Sequence, residues 1–214
     1  MVLSAWDSYM RTTIATILLN VLASSYSFGQ AIAGGTPADA YQIKYFANLG
    51  SGDGAVNLSN GGFLGGLDPG GDICANVYVF AQDQQLVACC ACPLTPNHLS
   101  TLSVHNDLIS NTLTPAVPSA ITVALVATQE TGGQCNAAAI STNQLVSGLV
   151  AWGTTLHALP GGGYTVSETP FIQTPLGSGQ FNKMTEYCAF IQAIGSGYGI
   201  CNSCRSGAAG AQKQ

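Results

Sequence analysis

Eight cysteines in 214 residues limit this chain more than any other feature, and three of them, Cys89, Cys90 and Cys92, crowd into four consecutive positions. A structural zinc site asks for four thiolate or imidazole ligands, whereas a disulfide framework asks for an even count and an oxidising compartment. The N-terminus points to the second. Arg11 is followed by an apolar run from Ile14 through Ile17, Leu18, Leu19, Val21 and Leu22 to Ala23, then by the small residues Ser24, Ser25 and Ser27. That order is the pattern of a secretory signal peptide, read here as residues 1–30 with cleavage after Gly29 or Ala31. Asp7 is out of place in such a segment and Met10 directly precedes Arg11, so Met10 reads as the true start and residues 1–9 as an extension. The apolar run is too short, and Asn20 too polar, for a membrane span of ~20 residues, so no span is expected in the mature chain.

Removing the leader leaves Cys74, Cys89, Cys90, Cys92, Cys135, Cys188, Cys201 and Cys204 in place. The expectation is that all eight form structural disulfides. Cys201-x-x-Cys204 follows a Gly-rich stretch instead of opening a helix after a strand, which argues against thioredoxin-like redox chemistry. Charge narrows the partners. Only 7% of residues are charged, against 47% hydrophobic and roughly 25% charged in an average domain. Lys and Arg number 5 against 10 Asp and Glu, a formal charge of −5. The leader takes one charge of each sign, so the mature chain keeps 4 basic and 9 acidic residues and the same net charge. No basic surface exists to neutralise phosphates, so nucleic acid is not an expected partner.

The mature chain reads as a single domain over 31–205 followed by a mobile tail at 206–214, rich in Gly, Ala and Gln. Between Tyr41 and Leu49 the residues alternate, with Tyr41, Ile43, Tyr45, Ala47 and Leu49 on one side and Gln42, Lys44, Phe46 and Asn48 on the other. A period of two is a strand. Residues 50–71 read as Gly- and Asn-rich loops around one short strand at Ala55, Val56 and Leu58. Ile73–Phe80 and Leu86–Cys92, joined by Gln82-Asp83-Gln84-Gln85, form the clearest hairpin. With its turn centred on Asp83, opposed residues sum to 166, which sets Cys74 on the same face as Cys90 and Cys92. A bridge from Cys74 to one of those two is therefore expected. Further strands are expected at Leu99–Val104, Ile121–Ala127, Leu149–His157 and Tyr164–Ile172. One helix is expected at about 179–194, with Phe181, Met184, Cys188 and Ile191 at helical spacing, Ser178 as N-cap and Gly195 as C-cap. Short strands at this spacing predict a mainly β fold, an antiparallel sandwich of Ig-like or jelly-roll-like kind with one C-terminal α-helix.

No catalytic constellation emerges. His98, His105 and His157 are present, and Asp72 or Asp107 could formally orient one of them, yet no Gly-x-Ser-x-Gly elbow accompanies them. Most of the aspartates fall in Gly-rich turns, where Asp commonly bonds its own backbone. Asp53, Asn57, Ser59 and Asn60 resemble a loose calcium loop without EF-hand spacing. Asn57-Leu58-Ser59 matches a short glycosylation acceptor of low specificity. The expectation is a non-enzymatic protein with no catalytic, cofactor-binding or metal residues.

The strings Ile73-Cys74-Ala75-Asn76-Val77-Tyr78-Val79-Phe80, Cys89-Cys90-Ala91-Cys92-Pro93, Asp107–Pro115, Ala151–Ala158 and Gly199–Arg205 resemble a family of uncharacterised exported bacterial proteins. That resemblance covers most of residues 70–205 and implies no catalytic residue. In the order of its elements the chain is also similar to subunits of extracellular β-sandwich filaments. The function expected is therefore structural: a secreted or cell-surface homo-oligomer or homopolymer, such as a filament, pilus-like fibre or surface layer. Its assembly strand would be Tyr41, Ile43, Tyr45, Ala47 and Leu49, completing a neighbour's sheet edge or pairing within its own subunit. The alternative is a monomeric secreted adhesin or carbohydrate-binding module, marked by Trp152, Tyr164, Tyr187 and Tyr198; a secreted hydrolase ranks below both.

Overall fold

The computed structural model describes residues 35–203; the leader, Cys204 and the tail at 206–214 lie outside the described residues. The fold is mainly β. Among the described residues nine strands, β1 (Tyr41–Phe46), β2 (Gly54–Asn60), β3 (Ile73–Ala81), β4 (Leu86–Leu94), β5 (Leu99–Ser103), β6 (Ile121–Gln129), β7 (Leu149–Ala158), β8 (Tyr164–Pro170) and β9 (Ile172–Gln173), precede one α-helix, α1 (Ser178–Ile194). They form a five-stranded sheet in the order β4-β3-β6-β1-β9 and a four-stranded sheet in the order β5-β2-β7-β8. All the pairings are antiparallel. This is the expected mainly β fold of two antiparallel sheets with one C-terminal helix; each predicted strand has a counterpart, although β1 stops at Phe46 and the strand expected at Tyr164–Ile172 is divided between β8 and β9.

The sandwich interior takes Val56 and Leu58 from β2, Leu102 from β5 and Leu149 and Ala151 from β7 on one side. From the other come Ile73, Ala75, Val77, Val79, Val123 and Leu125. Phe46 locks the layers together. Its ring enters a slot that exists because two inward positions of the four-stranded sheet are glycines: a Cβ on Gly54 would lie 2.8 Å from Phe46 Cδ1, and one on Gly153 2.8 Å from its Cζ. Phe171 closes the slot with its ring centroid 6.3 Å away.

The second face of the five-stranded sheet is also covered. Tyr41, Tyr78, Phe80, Cys89 and Val126 pack beneath Phe181, Met184, Cys188 and Ile191 of the helix. Burial on both faces explains why β3 and β4 read as almost continuous apolar runs instead of alternating ones. The helix starts one residue earlier than expected: Gly177 is its N-cap in place of Ser178, and Gly195 closes it at φ 65°, a left-handed C-cap suited to glycine.

The hairpin corrects one expectation. Phe80 faces Leu86, as the turn predicts, but a bulge between Val79 and Phe80 shifts every pair beyond it. Cys74 then opposes Pro93, and Ala75 opposes Cys92. Because side chains alternate, a one-residue slip exchanges the faces of a strand. Cys90 and Cys92 turn into the sandwich interior while Cys74 points toward the helix layer, so neither can bridge to Cys74. The bonds formed are Cys74–Cys135, Cys89–Cys188 and Cys90–Cys201. Cys92 is disulfide-bonded as well, and there is no free cysteine among the described residues.

Strand β1 ends at Phe46. Asn48, at φ 58°, turns the chain so that Leu49 joins Phe46 in the sandwich core, which breaks the alternation read for Tyr41–Leu49. Polar groups fasten the ends of other strands. Asn60, fully buried, donates to the carbonyls of Gly71 and Leu94 at 2.8 and 2.9 Å and accepts from Gly62 N at 2.8 Å. Tyr78 donates its hydroxyl to Ala137 O at 2.7 Å.

Candidate functional site

The two sheets end differently at their edges. In the five-stranded sheet β4 is capped: Cys89 N donates to Gly199 O at 2.8 Å, Cys201 N to Cys89 O at 3.4 Å, and Leu113 N to Val87 O at 2.9 Å. Cys90–Cys201 staples the Gly199–Cys201 segment there. At the other end β9 covers β1 with a two-residue pairing. The four-stranded sheet is bordered by β5 and β8, and among the described residues each pairs along one side only.

Strand β8 is the more exposed of the two. All seven of its residues are solvent-accessible. Gly161, Gly162 and Gly163, with φ of 94°, 101° and 84°, make the turn that sends it back along β7. Toward that turn β7 also loses its burial, so the end of the hairpin is a ribbon wetted on both faces. Its inward side carries Thr155, His157, Thr165 and Ser167, and His157 Nε2 lies 2.9 Å from Ser167 Oγ. At the base Lys44 bonds the Thr169 hydroxyl. Partial burial lowers the pKa of this lysine, whose ammonium also lies 5.4 Å from the Phe46 ring centre.

The outer face of the same sheet carries a polar ladder across all four strands. Thr101 Oγ1 donates to Asn57 Oδ1 at 2.9 Å, Asn57 Nδ2 to Thr154 Oγ1 at 3.0 Å, and Thr154 Oγ1 to Glu168 Oε1 at 3.1 Å. Trp152, opposite Asn57 and Pro170, is half-buried among these groups. Val150, Val166, Tyr164 and Leu99 are exposed. Trp152 and Tyr164 stand six residues apart along the strand, roughly 20 Å, too far to grip one small ligand together. Tyr187 and Tyr198 are exposed at the helix, on the opposite side of the sandwich.

The remaining sequence candidates scatter. Tyr41, Ile43 and Tyr45 sit on β1, which β6 and β9 flank within the same chain; Ala47 and Leu49 lie beyond its end. Asp53 is occupied as a cap, accepting from Ser103 Oγ at 2.7 Å and from the His105 and Gly54 amides at 2.9 and 2.7 Å. Asn57, Ser59 and Asn60 belong to β2, so no calcium loop forms from that set. Asp107 accepts from Ser103 N at 2.7 Å. Among the described residues no group of three His, Cys, Asp or Glu side chains is arranged to hold a metal.

One carboxyl cluster was not legible in the sequence. Asp72, almost wholly buried, has an Oδ1 without a hydrogen-bond partner. Burial first, then a hydrogen bond and the charge of Asp68, then the charge of Glu130, raise its pKa to about 6. Antiparallel pairing of Ile73 with Gln129 is what brings Asp72 and Glu130 to the same end of the sheet. The signal for the open ribbon was present, however. Residues 164–170 offer no large apolar side chain on alternate positions other than Tyr164 and Val166, so nothing is available to cover a core on the second face. No family model, no curated protein and no solved structure matches this chain.

Proposed function

We propose that this protein is an exported structural subunit that builds a homopolymer, such as a filament, pilus-like fibre or surface layer, by adding β8 to the free β5 edge of the next copy. The observation that carries this reading is the β8 edge, seven exposed residues in a sheet whose two borders each pair along one side only among the described residues. An edge strand presents a row of backbone N–H and C=O groups that template pairing with another chain, and soluble proteins usually blunt it with charge, proline or a cover. Here the defence is one glutamate, Glu168, and a proline at the end of the strand. Joining one edge to a different edge is a heterologous contact, which propagates without closing unless the rotation forms a ring. Sparse charge lowers the repulsion between copies, and the disulfides fit an oxidising exterior. No helix among the described residues is long and apolar enough to cross a membrane. Strand β1, flanked on both sides within its own chain, is the lesser candidate for exchange.

The test is negative-stain microscopy and sedimentation of the oxidised protein beside the variant Val166→Lys. Fibres in the parent that vanish in the variant are the expected result. A parent that stays a single particle at every concentration, or fibres indifferent to the lysine, would overturn the reading.

A further inference from the structure

Where the five-stranded sheet runs out beneath the start of α1, a cleft of about 490 Å³ opens, and Tyr45, Phe80, Gln82, Thr122, Gln180 and Lys183 line it. Its floor follows from register. Thr122 on β6 is paired with Phe80 on β3 and with Tyr45 on β1, so ring, hydroxyl and ring stand side by side on one face across roughly 10 Å. This is the last row of the face that the helix covers further along, and the helix reaches it only at Phe80. There Lys183 lies with its ammonium 5.5 Å from the Phe80 ring centre and 5.8 Å from that of Tyr187, while donating to Gln84 O at 3.4 Å. The Tyr45 ring is left uncovered, 63% exposed.

The chemistry of the lining selects the occupant. A polyanion asks for several cations, and Lys183 alone faces the cleft. Gln82 Nε2 donates to Ser119 Oγ at 3.4 Å and Gln180 bonds the Tyr41 hydroxyl, so each amide has one partner, and a purely apolar ligand would bury its remaining bonding capacity unmet, at a cost in free energy. Amides and hydroxyls both donate and accept, as the secondary hydroxyls of a sugar do, and an open aromatic ring offers its face to the C–H side of a pyranose. We infer that this cleft is a carbohydrate subsite, sized for one or two sugar rings, with a ring stacked on Tyr45 and its hydroxyls bonded to Gln82, Thr122 and Gln180. The inference is independent of assembly through β8, since the cleft lies on the helix side of the molecule.

Saturation-transfer NMR on the full oxidised chain with millimolar cellobiose, chitobiose, maltose and glucuronate tests it. At least one sugar is expected to receive saturation, and Tyr45→Ala and Gln82→Ala are each expected to weaken its binding about tenfold with an unchanged melting temperature. Tyr164→Ala, on the far hairpin, should leave it intact. In the parent protein, shifts of the Tyr45 ring and Gln82 amide signals on titration provide a readout that needs no variant. Silence from all four sugars, binding that survives Tyr45→Ala, or shifts confined to the β7–β8 hairpin would overturn the assignment.

Discussion

The two sheets of this sandwich share one core yet obey opposite rules. The five-stranded sheet is buried on both faces over most of its length, capped along β4 and tied by disulfides to the helix and to the Gly199–Cys201 segment. Among the described residues the four-stranded sheet has one wet face held by a threonine–asparagine ladder, two borders that pair along one side only and a ribbon that outruns the core. Burial determines stability, and unsatisfied edges determine association. Under the proposed assembly the two properties would reside in separate layers.

The largest effect should come from unfastening the closed sheet. Replacing both Cys90 and Cys201 by alanine removes a bridge that spans 111 residues, and should cost about 4–5 kcal/mol in denaturant unfolding under non-reducing conditions. Next, Phe46→Ala empties the slot between Gly54 and Gly153 and should cost about 3–5 kcal/mol. The reciprocal change, Gly153→Ala, drives a methyl group into Lys44 and Phe46 and should cost about 1–3 kcal/mol; differential scanning calorimetry on the pair measures both. A smaller effect is expected from Asp72. Its folded pKa of about 6 lies above the unfolded value near 4, so the folded state holds the proton to higher pH. Stability therefore falls as pH climbs from about 4 to about 6 and is flat beyond, opposite to a paired carboxylate. Chemical denaturation across that window should show the fall in the parent and lose it in Asp72→Asn. Last, Val166→Lys on β8 should change stability by no more than about 0.5 kcal/mol while abolishing the proposed assembly. If it cost as much as the lost disulfide, the division between the sheets would be wrong.

Much of the closed sheet was readable because dense apolar runs such as Ile73–Phe80 leave a strand few other places to go, and Phe181, Met184, Cys188 and Ile191 mark one helical face. The disulfide pairing was not readable. It turns on one extra residue of β4, Val87, opposite the step from Val79 to Phe80, where no glycine or proline advertises the irregularity, and that one residue decides which face three cysteines occupy. Partners such as Cys135 and Cys188 come from segments whose closeness is set by layer packing, which local periodicity does not encode. The cleft at Tyr45 was hidden for a related reason: Phe80, Thr122 and Tyr45 become neighbours only through the strand order β3-β6-β1, which no short window of sequence contains.

The cap on β4 carries a consequence for the order of events during biogenesis. Cys89 and Cys90 acquire their sulfur partners from positions 99 and 111 residues downstream, so neither native bridge can close until nearly the whole domain has been synthesised. Through that interval the strand lacks its cover and three neighbouring thiols are open to wrong partners, so refolding of the reduced chain is expected to give a higher native yield when a disulfide isomerase is present.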